Sequence, residues 1–152
     1  MRPRIIATDL EIHCPTKLLE NDHWQIDEGE VASRSTMPQD LLPLIHAAER
    51  AGYSLATRRS VFTKAAYLAT NGSIKTHTDE TAGLNAACII TAGRGFDCPE
   101  LITKHGSLEL KVGDAFVFNA DLPHAWLSND FCVLASIQVK RRREVINATE
   151  ND

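Results

Sequence analysis

A series of short β-strands behind one amphipathic helix predicts a mainly β domain, folded as a two-sheet jelly roll with the helix packed across the outside of one sheet. Two observations carry this. After residue 60 the apolar residues fall into short segments separated by good turn chemistry at Asn71-Gly72, Gly93-Arg94-Gly95, His105-Gly106, Gly113-Asp114 and Ser128-Asn129-Asp130. Before them lies the one clear helical pattern, and no further helices alternate with the strands as a βαβ fold requires.

The first 35 residues are the least patterned. Residues 4–12 read as a strand, while residues 20–35 are polar and read as a loop. His13 and His23 sit here without partners at ligand spacing and read as structural or exposed. The helix is predicted over residues 38–52, where Leu41, Leu44, Ile45 and Ala48 recur at spacings of three and four and Gly52 offers a stop. Pro43 fits only in the first turn, where no intrahelical N–H is required. His46 is expected on the helix surface. The strands are then predicted at 61–69, 74–79, 84–91, 100–104, 107–112, 115–119, 125–127 and 131–140. The whole chain, 1–152, reads as a single domain with its jelly-roll core at about 60–140.

Composition narrows the function classes. The chain has 152 residues, 43% hydrophobic and 24% charged, as in an ordinary globular protein. A net charge of −4 does not favour a nucleic-acid surface, although Lys140-Arg141-Arg142-Arg143 forms a basic cluster that reads as a solvated strand end. No apolar run approaches the roughly 20 residues of a membrane helix. The N-terminus lacks the pattern of a signal peptide, so a cytoplasmic protein with no membrane partner is expected. Cys14, Cys88, Cys98 and Cys132 are scattered without a C-x-x-C pair, which predicts reduced thiols rather than a structural zinc site. Oligomeric state is not legible.

The chemistry-bearing pattern is His77-Thr78-Asp79 with His124. Residues two apart on a strand point to one face, so an imidazole and a carboxylate would project together. H-x-D alone is a weak signal. Its place, closing a strand after a glycine turn and followed by strands that end in Pro123-His124-Ala125-Trp126, strengthens it. Two histidines and one carboxylate leave coordination positions open, which suits non-haem Fe(II) and O2; structural zinc more often recruits cysteines and closes its shell. His77, Asp79 and His124 are therefore the candidate catalytic metal ligands.

With these residues in view, the chain resembles the Fe(II)- and 2-oxoglutarate-dependent dioxygenases, in particular the small prolyl-hydroxylase-like branch of the double-stranded β-helix (cupin-like) fold. The resemblance runs from about residue 40 to residue 140. It is carried by YLATNGSIKTHTDE, where a tyrosine strand, a glycine turn and H-x-D follow one another. It is carried also by FDCPELITKHGSLELKVGDAFVFNADLPHAWL, with a Gly-Asp turn, an apolar strand and the distal histidine. The resemblance implies that His77, Asp79 and His124 hold Fe(II), and that the Tyr67 hydroxyl reaches 2-oxoglutarate. It implies hydroxylation of a substrate by O2, with succinate and CO2 released. Trp126 would wall the pocket or belong to the core.

One departure stands out. The family usually places an Arg or Lys on the last strand, some ten residues or more beyond the distal histidine, to pair with the distal carboxylate of 2-oxoglutarate. Here Phe131, Cys132, Val133 and Leu134 are uncharged. Alternation places Ser136, Gln138 and Lys140 on one face and Val133, Ala135, Ile137 and Val139 on the other. Lys140, assisted by Ser136 or Gln138, is therefore the expected anchor; Arg141 would need a bulge, and Arg94, Arg58 or Arg59 could supply the charge from elsewhere. A cupin-type metalloenzyme without 2-oxoglutarate ranks second, because cupins generally carry an H-x-H pair and a glutamate where this chain has H-x-D. A jelly-roll binding module without chemistry ranks third. The substrate class is not legible, and specificity is expected in residues 13–37 and the loop 93–99.

Overall fold

The structure is a computed structural model that describes residues 2–56, 64–79, 83–93 and 99–142. Its strands run β1 (Arg4–Ala7), β2 (Val31–Thr36), β3 (Tyr53–Leu55), β4 (Ala65–Asn71), β5 (Ile74–His77), β6 (Asn85–Gly93), β7 (Glu100–Thr103), β8 (Gly106–Glu109), β9 (Ala115–Asn119), β10 (His124–Leu127) and β11 (Phe131–Arg141). A short helical turn, α1 (Asn21–Trp24), and the longer α2 (Leu42–Arg50) complete the elements used below. No helix among the described residues is long and apolar enough to cross a membrane.

Two antiparallel sheets face each other. The seven-stranded sheet has the order β1-β9-β6-β11-β4-β2, with β3 paired to the end of β11; the four-stranded sheet has the order β5-β10-β7-β8. Sequence neighbours are repeatedly separated between the sheets, which is the winding of a jelly roll. The predicted fold class is the observed one.

The large sheet is buried on both faces. On β11, Phe131, Val133, Ala135, Ile137 and Val139 join one apolar cluster with Leu44, Ile45 and Ala48 of α2. The alternate residues Cys132 and Leu134 join a second cluster between the sheets, with Phe116 and Phe118 of β9 and Trp126 of β10. Strand alternation thus divides the molecule into an outer core under the helix and an inner space between the sheets.

The helix forms where the periodicity places it, in two parts. A 3-10 turn at Pro38–Leu41 leads into α2, and Pro43 occupies the first helical turn. The Asp40 carboxylate accepts hydrogen bonds from Thr36 Oγ1 (2.7 Å) and the Met37 N–H (3.3 Å), tying the turn to the end of β2. Gly52 follows with φ +96°, the left-handed conformation that ends a helix at little steric cost only for glycine. His46 is exposed, as its position predicts.

Three local expectations change. Residues 31–36, read as part of a polar loop, form edge strand β2 in register with β4, Val31 opposite Thr70 and Thr36 opposite Ala65. The N-terminal strand stops at Ala7 rather than residue 12. β5 ends at His77, so Asp79 lies beyond the strand that was expected to carry it. The predicted strand over 61–69 falls partly outside the described residues, as do Arg58, Arg59, Arg94, Cys98, Arg143 and most of the 93–99 loop.

Candidate metal centre

The site is assembled by the pairing of β5 with β10, which places His77 opposite His124. Directly opposed residues on antiparallel strands project to the same face, and the two imidazole rings lie 4.3 Å apart between centroids. Asp79 reaches the same place by another route. Its N–H donates to the Ala120 carbonyl oxygen at 2.9 Å, which fixes the backbone past the end of β5 and turns the carboxylate toward both rings.

The resulting geometry is compact. Asp79 Oδ1 lies 3.7 Å from His77 Nε2, and Asp79 Oδ2 lies 3.3 Å from His124 Nε2. One donor atom from each of the three residues falls within 4.8 Å of the others. Each ring is also held from behind: His77 Nδ1 donates to the Lys75 carbonyl oxygen at 2.7 Å, and His124 Nδ1 to that of Leu122 at 2.8 Å. A carbonyl only accepts, so in the neutral imidazole the proton is on Nδ1 and the Nε2 lone pair is bare. This is the tautomer that a metal ligand requires, and a backbone carbonyl behind the ring is a common way to set it. Phe118 packs edge-on against His124, with centroids 5.0 Å apart.

Burial grades across the three. The His124 side chain is 6% exposed, that of His77 37% and that of Asp79 51%, so the site is packed on one side and open on the other. The donor set of two imidazoles and one carboxylate, gathered but open, fits a mononuclear metal ion. His77, Asp79 and His124 could hold one.

Behind the triad lies a cavity of about 560 Å³ between the two sheets. Its metal end is formed by Phe118, Ala120 and Gln138, its middle by Cys88, Phe116, Leu134 and Ser136, and its far end by Thr70, Ile74, Leu101 and Trp126. No Lys or Arg is among the described lining residues. Ser136 and Gln138 are on the inner wall, as alternation predicts. Ser136 Oγ accepts from the Cys88 thiol at 3.4 Å. Burial pushes the Cys88 and Cys132 thiols up to about 12, which keeps both protonated and makes them poor metal ligands. Cys14, Cys88 and Cys132 are all free.

Two predicted co-substrate contacts are not brought to the cavity. Tyr67 lies on the opposite face of β4, 4% exposed in the outer core, and its hydroxyl donates to the His13 carbonyl oxygen at 3.1 Å. Burial, followed by the nearby Cys14 and Asp40, raises its phenol above the ordinary tyrosine value. Leu68 and Thr70 are the residues that β4 turns inward. Lys140 has the right parity on β11, but it is exposed and sits opposite Ser54 of β3, past the wall that Gln138 ends. The position ten residues beyond His124, where a cation is expected, is occupied by Leu134, 5% exposed and part of the inner cluster.

Among the inner residues that sequence reasoning passed over are Ser33, Thr70 and Phe116. Trp126, read as either wall or core, lines the cavity.

No protein-family model matches this chain, and no curated protein matches it in sequence. Among the solved structures it is similar to, at low identity, are three cupin domains. One is the cupin domain of an XRE family transcriptional regulator from Enterobacter cloacae, 15% identical over 74% of this chain and 98% of that one, with a TM-score of 0.45. A cupin domain from Bordetella pertussis is 12% identical over 76% of this chain and 98% of its own, with a TM-score of 0.43. A cupin 2 domain-containing protein from Halorhodospira halophila is 11% identical over 95% of this chain and 86% of its own, with a TM-score of 0.46.

Proposed function

We propose that this protein is a mononuclear Fe(II)-dependent oxygenase whose iron is held by His77, Asp79 and His124 at the metal end of the inner cavity. The observation that carries the reading is the pair of bare Nε2 atoms, each fixed by a carbonyl behind its ring, converging with one carboxylate on an open face. Iron bound there supplies O2 activation; with 2-oxoglutarate as co-substrate, one oxygen atom enters the substrate and the other enters succinate as CO2 leaves.

The chain's own residues do the rest. The half-exposed Asp79 leaves a side from which O2 and substrate approach, while Phe118 and the buried His124 ring close the opposite side to water. Ser136 and Gln138 offer a hydroxyl and an amide to a bound co-substrate. A cavity of about 560 Å³ with no described lining cation suits a small organic substrate better than a nucleic acid.

A second reading is favoured by one observation. A buried carboxylate needs a cation or several hydrogen bonds, and Leu134 stands where the family's cation is expected. The same site would then serve a cupin-type dioxygenase that places both oxygen atoms of O2 in its substrate and uses no 2-oxoglutarate.

Titrating 2-oxoglutarate into Fe(II)-loaded, anaerobic protein separates the two. Tight binding and succinate formation on admitting O2, both lost in His77→Ala, support the first reading. O2 consumption with substrate and no dependence on 2-oxoglutarate supports the second. Turnover that survives in His77→Ala and Asp79→Ala sinks both.

A further inference from the structure

The far end of the cavity carries a feature that the metal centre does not explain. Thr70 is 5% exposed and Trp126 is 7% exposed, yet among the described residues neither Thr70 Oγ1 nor Trp126 Nε1 has a hydrogen-bond partner. Both residues line the same cavity. Leaving a buried polar atom unpaired costs about 1–3 kcal/mol, so two at one end of one space are a feature that needs a partner. The other indole, that of Trp24, shows the usual solution: its Nε1 donates to the Leu18 carbonyl oxygen at 2.7 Å.

Register places the pair away from the triad. Trp126 is opposite Ile74 at the start of β5, whereas His124 is opposite His77 at its end. Two residues of β10 and three of β5 separate the two levels, about 7–10 Å at the usual rise. Thr70 stands one residue before the end of β4, opposite Cys132 near the start of β11. Between the two levels the wall is largely apolar, with Leu68, Cys88, Phe116 and Leu134, and the hydroxyls of Ser33 and Ser136 are its polar groups.

The chemistry of the pair specifies its ligand. An indole N–H only donates, and a threonine hydroxyl can donate or accept. Together they suit an oxygen that accepts two hydrogen bonds, such as a carbonyl, amide or hydroxyl oxygen. A full negative charge would lie here without a described cation, in an apolar space, which is strongly unfavourable.

We infer that Thr70 and Trp126 form a recognition subsite for the neutral oxygen of an elongated, largely apolar ligand whose other end reaches toward His77, Asp79 and His124. The orientation of the reacting end rests on the function proposed above; the subsite itself does not. Thr70 and Trp126 are positioning residues in this scheme, not catalytic ones.

The test uses the full chain, metal-free and Zn(II)-loaded, with 4-phenylbutanamide and its charged twin 4-phenylbutanoate as probes. Binding is followed by the indole N–H resonances in 15N NMR. The amide is expected to bind and shift the Trp126 indole signal while that of Trp24, already bonded to Leu18, stays in place. The carboxylate is expected to bind more weakly. Thr70→Val keeps the shape of the wall and should weaken the amide about three- to tenfold, the usual worth of one hydrogen bond, while Trp126→Phe, which also removes wall surface, should weaken it at least as much. In Thr70→Val the thermal midpoint should not fall, because the hydroxyl lost was unpaired in the free protein. In the metal-free protein, where no zinc can capture the carboxylate, carboxylate binding equal to or tighter than that of the amide overturns the inference. So does an unmoved Trp126 indole with bound amide, or unchanged affinity in both variants. Amide binding that persists without metal while Fe(II)-dependent turnover is absent rejects the proposed function and leaves the subsite standing.

Discussion

The two faces of β11 differ in what they can tolerate. The outer face, Val133, Ala135, Ile137 and Val139, is closed against α2 and the N-terminal segment, and each of these residues is fully buried. The inner face, Leu134, Ser136 and Gln138, lines a cavity. A close-packed face responds to lost volume, whereas a cavity wall has space to give and its side chains meet a ligand instead. One strand therefore divides stability from function residue by residue.

The strongest way to test that division is at the triad. His124→Ala should reduce metal affinity by more than the roughly 10–100-fold that loss of an outer hydrogen-bond partner costs, with little change in thermal midpoint of the metal-free protein. Co(II) titration followed by visible absorption, paired with calorimetry, checks it; a collapsed fold in the metal-free variant would break the comparison. Next, Ile137→Ala should destabilise the protein by about 2–5 kcal/mol, and its neighbour Ser136→Ala by less than about 1 kcal/mol. Urea unfolding of the two variants decides, and equal losses would mean the inner wall is packed as tightly as the outer.

The pH dependence is a smaller effect than the loss of Ile137. Cys88 and Cys132 are pushed from 9.0 to about 12 by burial in the folded protein. Below pH 9 both are protonated whether folded or not. Above it the unfolded thiols ionise and the folded ones do not, so stability falls as pH rises from about 9 toward 12. At pH 10 each thiol should account for about 1 kcal/mol of that loss. Comparing unfolding at pH 8 and pH 10 with that of Cys88→Ser shows it: the variant should lose less stability over this interval, and an identical loss would place Cys88 in contact with water.

Much of the fold was legible because its signals are local. Turn residues marked the breaks, and the 3.6-residue repeat marked α2. Gly113, with φ +92° and Asp9 Cα only 3.2 Å from where a Cβ would stand, is the kind of turn that sequence punctuates reliably. Edge strand β2 was not legible, since VASRST is mostly exposed and owes its conformation to backbone pairing with β4 rather than to an apolar repeat. Asp79 was placed correctly in the triad for a reason that proved different: the strand ends at His77, and the bond to Ala120 turns the carboxylate inward.

What the sequence determined by itself is the candidate donor set, the jelly-roll class and the two faces of β11, whose inner side is polar at Ser136 and Gln138. Each follows from spacing along the chain, which is a property of the chain alone. Only the tertiary structure decided that Tyr67 faces the outer core, that Lys140 lies past the cavity, and that Thr70 and Trp126 both line its far end. On β4, with Ala65, Ala66, Leu68 and Ala69 around Tyr67, both faces are apolar, and a strand buried on both sides gives no sign of which is inward. A step of one residue exchanges the two faces, so the register with β11 and β2 had to be known before any of these side chains could be placed.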